Sequence, residues 1–465
     1  MRSRATVVAL LCLLFCVPVP AAADAPYARL DAYVRDHMKA PGLAYAVVGP
    51  DGPLHRRSWG TDGRGDPVTG ATPFLWGSVA KPVTATGVMT LVQSGRLGLD
   101  DPVVDHVPGF AFGGAAHARG VTVRHLLGHT SGIPAEATFA VADCHDAGCP
   151  RPAGRLDALN GYEPLGPPGT EYTYTSANYV VLAAVIESVT GRPFAGFMRE
   201  AVFDPFGMDG AIADSKSAQK RNLTPGHQYL WGFPAATADG YDPHGAAYGY
   251  MGGDINDLAA FAAAQLRPES VLTPESVRLM RQESKDGTGY GLGWRVGGLD
   301  APLQNAIWHT GASPGYSAMI FLLPERDIAL VLHQNLYGLL QDGPIMAVGF
   351  GAARVLAGGE PGDVPSAATH HAAVWGVTAL AAGLLLATGR SIAVLRRPAG
   401  RRRVAATVGW CLAGAVPLLI AAAVLTLIDA RRLMAWVPDA TVALGVAVAA
   451  GAATIALRLA RSLRP

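Results

Sequence analysis

Three apolar runs after residue 370 limit this chain most. Ala372 to Gly389 holds 18 residues without a charge, Val404 to Ile428 holds 25, and Ala440 to Leu457 holds 18. A hydrocarbon core of ~30 Å is crossed by about 20 helical residues. The second run meets that length alone, and flanking residues extend the other two. Backbone polar groups in hydrocarbon must pair within their own segment, so each run is expected as a helix. A three-helix transmembrane region over 371–465 is the first expectation.

Charges around the runs set an orientation. The loop 390–403 carries Arg390, Arg396, Arg397, Arg401, Arg402 and Arg403, and the tail adds Arg458, Arg461 and Arg464. The other connection, 429–439, holds Arg431 and Arg432 beside Asp429 and Asp439. Lys and Arg favour the cytoplasmic side, so the segment before residue 372 is expected outside. The N-terminus points the same way. Arg2 and Arg4 precede the apolar stretch Val7 to Val17, and Ala21-Ala22-Ala23 offers a cleavage site before Asp24. This pattern reads as a cleaved signal peptide over 1–23. The expected localisation is the cell membrane, multi-pass, with the large domain extracytoplasmic. Trp375 and Trp436 fit interface anchors or packing between helices.

The large domain is acidic. Residues 24–370 carry 24 Lys+Arg against 34 Asp+Glu, a net of −10. Nucleic acid needs a basic surface, so that partner class is excluded. Only five lysines occur in the chain, which makes Lys81 a rare choice at its position. Cys144 and Cys149 flank a four-residue loop, and outside the cytoplasm a local disulfide is the natural reading. A metal site on Cys144, His145 and Cys149 would lack a fourth ligand. Nothing in the sequence demands a metal or an organic cofactor.

One short stretch carries candidate chemistry: Gly77-Ser78-Val79-Ala80-Lys81-Pro82. Apolar residues at helical spacing follow it, at Val83, Val88, Leu91 and Val92. If a helix starts here, Ser78 and Lys81 share one face near unpaired backbone N–H groups. A neutral amine there can take the hydroxyl proton, and the N–H groups can hold an oxyanion. A second match, Ser217-Ala218-Gln219-Lys220, lies in a polar stretch and reads as solvated surface. Alone, the tetrapeptide leaves a helix-capping serine with a surface lysine as the equal alternative.

The rest of the domain suggests an architecture. Residues 27–39 have helical spacing. Leu43 to Val48 and Leu54 to Trp59 read as a hairpin. Residues 135–165 look irregular and 211–250 loop-rich. Val180 to Thr190 and Ile255 to Leu266 read as helices, the latter capped by Asp254. Gly289 to Val296, Ala306 to Thr310, Tyr316 to Leu323 and Ile328 to Gln334 read as strands, and a helix from about Tyr337 to Leu356 closes the domain. The expected fold is α/β (α+β). Its N- and C-terminal strands share one antiparallel sheet flanked by helices, with a mostly helical subdomain inserted. The expected domains are 24–357, a linker at 358–370, and the membrane region.

Five motifs occur in order: Gly77-Ser78-Val79-Ala80-Lys81, His129-Thr130-Ser131-Gly132, Pro168-Gly169-Thr170 with Tyr174-Thr175-Ser176, Gly252-Gly253-Asp254, and Trp308-His309-Thr310-Gly311. On these the chain resembles the serine β-lactamase-related family: class C β-lactamases, DD-peptidases and related esterases. The resemblance covers residues 27–357 and excludes the apolar runs. It implies Ser78 as nucleophile, Lys81 as proton acceptor or relay, and Tyr174 as a partner in acid–base work. It also implies substrate binding along His309 and Gly311, with an oxyanion hole from the N–H groups of Ser78 and Ala312.

Two positions depart from the family pattern. Ser176 stands where Asn is usual, and Asn178 two residues on is not taken as its substitute. His309 replaces a lysine, a weaker anion partner, so efficient β-lactam hydrolysis is not expected. The resemblance implies a membrane-tethered serine hydrolase acting through an acyl-enzyme on Ser78. Its substrate would be a D-amino-acid peptide, an amide or an ester. The alternatives are a penicillin- or wall-fragment-sensing receptor and a non-catalytic binding domain. The loops 135–165 and 211–250 are expected to set specificity, with no readable pattern. His129 and Ser131 are expected to stabilise a turn, and Tyr248 and Tyr250 to line the cleft or pack. Oligomeric state is not legible.

Overall fold

The computed structural model describes residues 26–146, 148–267, 271–285, 287–395 and 404–462. The expected signal segment, most of the Arg-rich loop and Arg464 lie outside the described residues.

The large domain is organised on a six-stranded antiparallel sheet. Its strands are β1 (Gly42–Gly49), β2 (Gly52–Gly60), β3 (Arg295–Val296), β4 (Ile307–Ser313), β5 (Tyr316–Leu323) and β6 (Ile328–Gln334), in the order β2-β1-β6-β5-β4-β3. N- and C-terminal strands therefore meet at the β1–β6 pair, where Tyr45 faces Leu332. Strand alternation separates two cores. Ala44, Ala46 and Val48 face one, and Leu43, Tyr45 and Val47 face the other. Helices α1 (Ala28–His37) and α5 (Asp342–Leu356) cover the second face.

The first face carries the helical insert. There α2 (Ala80–Gln93) runs through the core with Val83, Val88 and Leu91 buried. Every residue of α3 (Ala177–Thr190) up to Ile186 is buried too, and Gly191 ends it in the left-handed region. Helix α4 (Ile255–Leu266) starts where the Asp254 carboxylate accepts from the N–H groups of Asn256 and Asp257, the expected cap.

Three local expectations change. Residues 289–296 form no full strand, because Gly289 and Gly293 take φ of 63° and 86° and turn the chain. Only Arg295 and Val296 pair with β4. Leu339–Gln341 form a 3-10 turn, so the closing α-helix starts at Asp342. The stretch 211–250 contains a hairpin, Gly226–Leu230 with Phe233–Ala238. Its two-residue turn, Trp231-Gly232, has φ of 52° and 94°, the backbone a tight hairpin needs.

Three further helices are long and apolar enough to cross a membrane: α6 (Ala368–Val394), α7 (Val404–Leu425) and α9 (Pro438–Ser462). Helix α9 packs on both others. Their outward side chains, such as Leu386 at 77% and Leu419 at 69% exposure, meet no protein. A short helix, α8 (Ala430–Trp436), interrupts the connection between α7 and α9 and is capped by Asp429. Of the two tryptophans only Trp436 departs from expectation. Trp375 stays half exposed on α6. Trp436 packs on the sheet domain: its indole N–H donates to Asp143 Oδ2 at 2.9 Å.

Candidate active site

Ser78 lies on a 3-10 turn, Gly77–Val79, that runs directly into α2. Gly77 takes φ +53°, and a Cβ there would lie 2.1 Å from the Ala312 backbone nitrogen. A Cβ on Gly311 would lie 2.6 Å from the Ser78 nitrogen. Only glycine at both positions lets β4 approach the turn this closely. The close approach brings the amides of Ser78 and Ala312 together.

Lys81 is fully buried in the first turn of α2. Its Nζ lies 2.9 Å from Ser78 Oγ, 3.2 Å from Ser176 Oγ and 2.9 Å from the Tyr248 carbonyl. Burial first, then the positive charge of Arg295, pushes its pKa down to about 7, against a smaller opposing pull from Asp143. A neutral amine keeps two N–H bonds and one lone pair. The two N–H groups serve Ser176 Oγ and the Tyr248 carbonyl, and the lone pair then faces the Ser78 hydroxyl.

Tyr174 covers this pair, with Lys81 Nζ 5.0 Å from its ring centre. Burial raises its pKa and outweighs the opposing Ser78 hydrogen bond, so the phenol keeps its proton near neutrality. Asn178 turns away from the cleft. It bonds Ser131 Oγ at 2.7 Å and His129 Nδ1 at 3.1 Å, buried in the first turn of α3. The third residue of the Tyr174 motif at the site is thus Ser176. His129, at φ +58°, accepts from the Thr175 N–H at 3.3 Å and lies 4.4 Å from the Tyr174 ring. His129 and Ser131 thereby hold the segment that carries Tyr174. The second S-x-x-K copy lies apart: Ser217 Oγ donates to the Asp214 carboxylate at 2.6 Å.

His309 borders the cleft but is only 1% exposed. Its Nδ1–H donates to the Thr310 carbonyl at 2.5 Å, which leaves Nε2 to accept from the Tyr290 hydroxyl at 3.1 Å. Burial, then the charges of Lys81 and Arg295, hold its pKa well below the ordinary value. His309 is therefore neutral, and the cation of the cleft is Arg295. Arg295 sits on β3 opposite Trp308, and its guanidinium lies 5.6 Å from the Tyr174 ring and 5.2 Å from the Trp308 ring. Among the described residues none accepts from its buried Nε. Sequence reading missed Arg295, although it is the one charge in the stretch 289–296.

A buried pair supports the site from behind. Arg155 donates twice to the Asp242 carboxylate, at 2.7 Å each. Asp242 also accepts from the Tyr248 hydroxyl at 2.7 Å and the Cys144 N–H at 3.1 Å. Tyr248 in turn presents its carbonyl to Lys81. Cys144 and Cys149 form a disulfide next to this network. Among the described residues no group of three or more His, Cys, Asp or Glu could hold a metal ion. The cleft has a volume of about 320 Å³. Both suspected loops reach it, through Phe139 and Asp143 and through Tyr248 and Tyr250.

A cleft serine backed by a buried lysine under a tyrosine, on an antiparallel sheet with a helical insert, defines a serine hydrolase of the penicillin-binding and β-lactamase type. Residues 30–348 match the Beta-lactamase family model, and the chain belongs to that family. It is 33% identical over 326 residues to penicillin-binding protein 4 of Amycolatopsis lactamdurans, a match spanning 66% of this chain and 84% of that one. The octameric penicillin-binding protein homologue from Pyrococcus abyssi shares the fold, with a TM-score of 0.62, 24% identity, and coverage of 72% of this chain and 78% of that one. So does a D-stereospecific amidohydrolase from Streptomyces sp., with a TM-score of 0.54, 23% identity, and coverage of 65% and 94%. The helices α6 to α9 lie outside the family match.

Proposed function

We propose that residues 24–357 are the hydrolase domain of a membrane-tethered enzyme. In this reading the linker 358–370 joins it to three spanning helices that hold it outside the cytoplasm. The observation that carries the chemistry is the 2.9 Å contact between Lys81 Nζ and Ser78 Oγ, with the amine pushed to about 7. Neutral Lys81 takes the Ser78 proton as Oγ bonds the substrate carbonyl carbon. The N–H groups of Ser78 and Ala312 hold the oxyanion. The bond to the leaving amine or alcohol then breaks, and the leaving group takes a proton through Tyr174. Water enters by the reverse relay and releases the acid and free Ser78.

The substrate is a D-amino-acid peptide, an amide or an ester. The name of the Streptomyces neighbour supports the first two. Arg295, with no described acceptor on Nε, suits a substrate carboxylate. Ser176 lines the cleft with its Oγ 3.2 Å from Lys81 Nζ, so it positions the amine beside the substrate. A fluorophosphonate probe should label the wild type and leave Ser78→Ala unlabelled, while D-alanyl peptides and short esters lose turnover in the variant. Equal labelling of both proteins would sink the reading.

A further inference from the structure

The sheet domain does not enclose its cleft alone. Ile428, just before the short helix α8, and Trp436, its last residue, form part of the wall. Ile428 ends the uncharged run that begins at Val404. Several contacts fix this segment. Trp436 donates to Asp143, and its ring lies edge-on to Tyr337 at 5.9 Å. Arg432 Nη2 donates to the Ala142 carbonyl at 2.6 Å, and Arg431 pairs with Asp146 at 2.6 Å. Leu339 and Met346 join Ile428 and Trp436 in the lining. One cleft therefore combines two chemistries: Ser78, Tyr174, Ser176 and Arg295 on one part, and an apolar surface on the other.

The hairpin 226–238 gives a second, separate observation. At its turn the Trp231 N–H donates to Asp439 Oδ2 at 3.1 Å, and its indole N–H donates to Thr378 Oγ1 at 2.8 Å. Gln228 Nε2 donates to the Ala435 carbonyl at 2.5 Å. The sheet domain is thus seated directly on the ends of the apolar helices. Beside these contacts Phe233 is 75% exposed, and Leu339 at the cleft is 51% exposed. Large apolar side chains left open here suit a bilayer surface more than bulk water.

We propose, resting on the serine hydrolase reading above, that the substrate is an amphiphile resident in the bilayer. Its ester or amide group enters toward Ser78 while an aliphatic chain lies along Ile428, Trp436, Leu339 and Met346. The bonds made and broken are those of acyl transfer to Ser78 and then to water. The connection between α7 and α9 is then a specificity element as well as a tether.

The test uses full-length protein in phosphatidylcholine vesicles. The probes are p-nitrophenyl esters from ethanoate to dodecanoate, D-alanine alkyl esters of matching lengths, and a diacylglyceryl ester of D-alanine anchored in the vesicle. In at least one free series kcat/KM should climb by about 3-fold per methylene that reaches the wall. Ile428→Ser and Trp436→Ala should each lower the long-to-short ratio by about 10-fold. Ile428→Ser removes no hydrogen bond to the sheet domain, so it separates wall chemistry from docking. The anchored ester should be cleaved. Flat chain-length profiles with Ser78 still labelled would overturn the inference and leave the hydrolase reading standing. So would long-to-short ratios unchanged in both variants, or an anchored ester left intact while free long esters are cleaved. No labelling of Ser78 and no turnover of any ester would overturn both.

Discussion

Lys81 Nζ lies 2.9 Å from Ser78 Oγ, and no part of Lys81 reaches solvent. The pair sits where a 3-10 turn becomes α2, so backbone geometry alone sets the serine beside the amine. Burial of the amine makes it a base near neutrality. The same burial keeps Tyr174 protonated. One environment thus separates a base from an acid at adjacent positions.

The pH dependence follows from Lys81. Its neutral form is the base, so kcat/KM for a neutral ester should rise with pH and level off above about 7. A profile that stays flat from acid to alkaline pH would contradict Lys81 as the base.

Arg295 should affect two readouts at once. Its charge helps to depress Lys81, so Arg295→Gln should move the acid limb of that profile to higher pH. The variant should also lose more kcat/KM on a substrate with a free carboxylate than on its methyl ester, by about 10- to 100-fold. An equal loss on both substrates would remove Arg295 as the carboxylate partner.

Lys81 should cost stability. Its folded pKa of about 7 lies below the ordinary 10.5, so the folded state disfavours the proton that the unfolded chain holds. Stability from this group is therefore highest above 10.5 and falls as pH drops toward 7. Lys81→Met should raise stability at pH 7 by about 1–3 kcal/mol while removing activity. A lower melting temperature at pH 7 would contradict this.

Gly311→Ala should separate folding from chemistry. The added Cβ would meet Trp76 O at 2.0 Å and Ser78 N at 2.6 Å, so β4 must shift from the turn. The oxyanion donors then misalign, at a cost of about 3 kcal/mol in kcat. Circular dichroism should still report a folded domain, and wild-type kcat would show that the close approach is dispensable.

The Arg155–Asp242 pair should be costly to break. Burial alone would raise the Asp242 carboxyl, but the Arg155 guanidinium, with the Tyr248 hydroxyl and the His244 N–H, holds the pKa below the ordinary value. Its contribution is present above the ordinary carboxylate range and is lost as pH falls below it. Arg155→Met leaves a buried charge unpaired, at about 3–5 kcal/mol. Unfolding should occur at lower denaturant and higher pH than in the wild type.

Much of the fold was legible where local pattern and tertiary role agree. Continuous apolar runs located β1, β5 and β6 because each has two buried faces to fill. The Asp254 cap and the αL Gly191 marked helix ends by backbone chemistry alone. The stretch 289–296 was misread because its apolar character mimics a strand while two glycines bend it. The hairpin 226–238 was missed because its alternation is weak and its turn uses Trp231, a residue that rarely takes positive φ.

The sequence by itself determined the ordered motif set, the three apolar helices and the family, because these depend on residue type and near neighbours. It also placed Ser78 and Lys81 on one face, since three residues make nearly one turn. Only the tertiary structure decided which cation occupies the cleft. His309 and Arg295 are both basic on paper, but burial, then the charges of Lys81 and Arg295, keep His309 neutral, while β3 holds Arg295 against the rings of Tyr174 and Trp308. Only the tertiary structure showed that Ile428 and Trp436, some 350 residues from Ser78 in the chain, share its cleft. Contacts of that range are set by how whole elements pack, and no local pattern carries them.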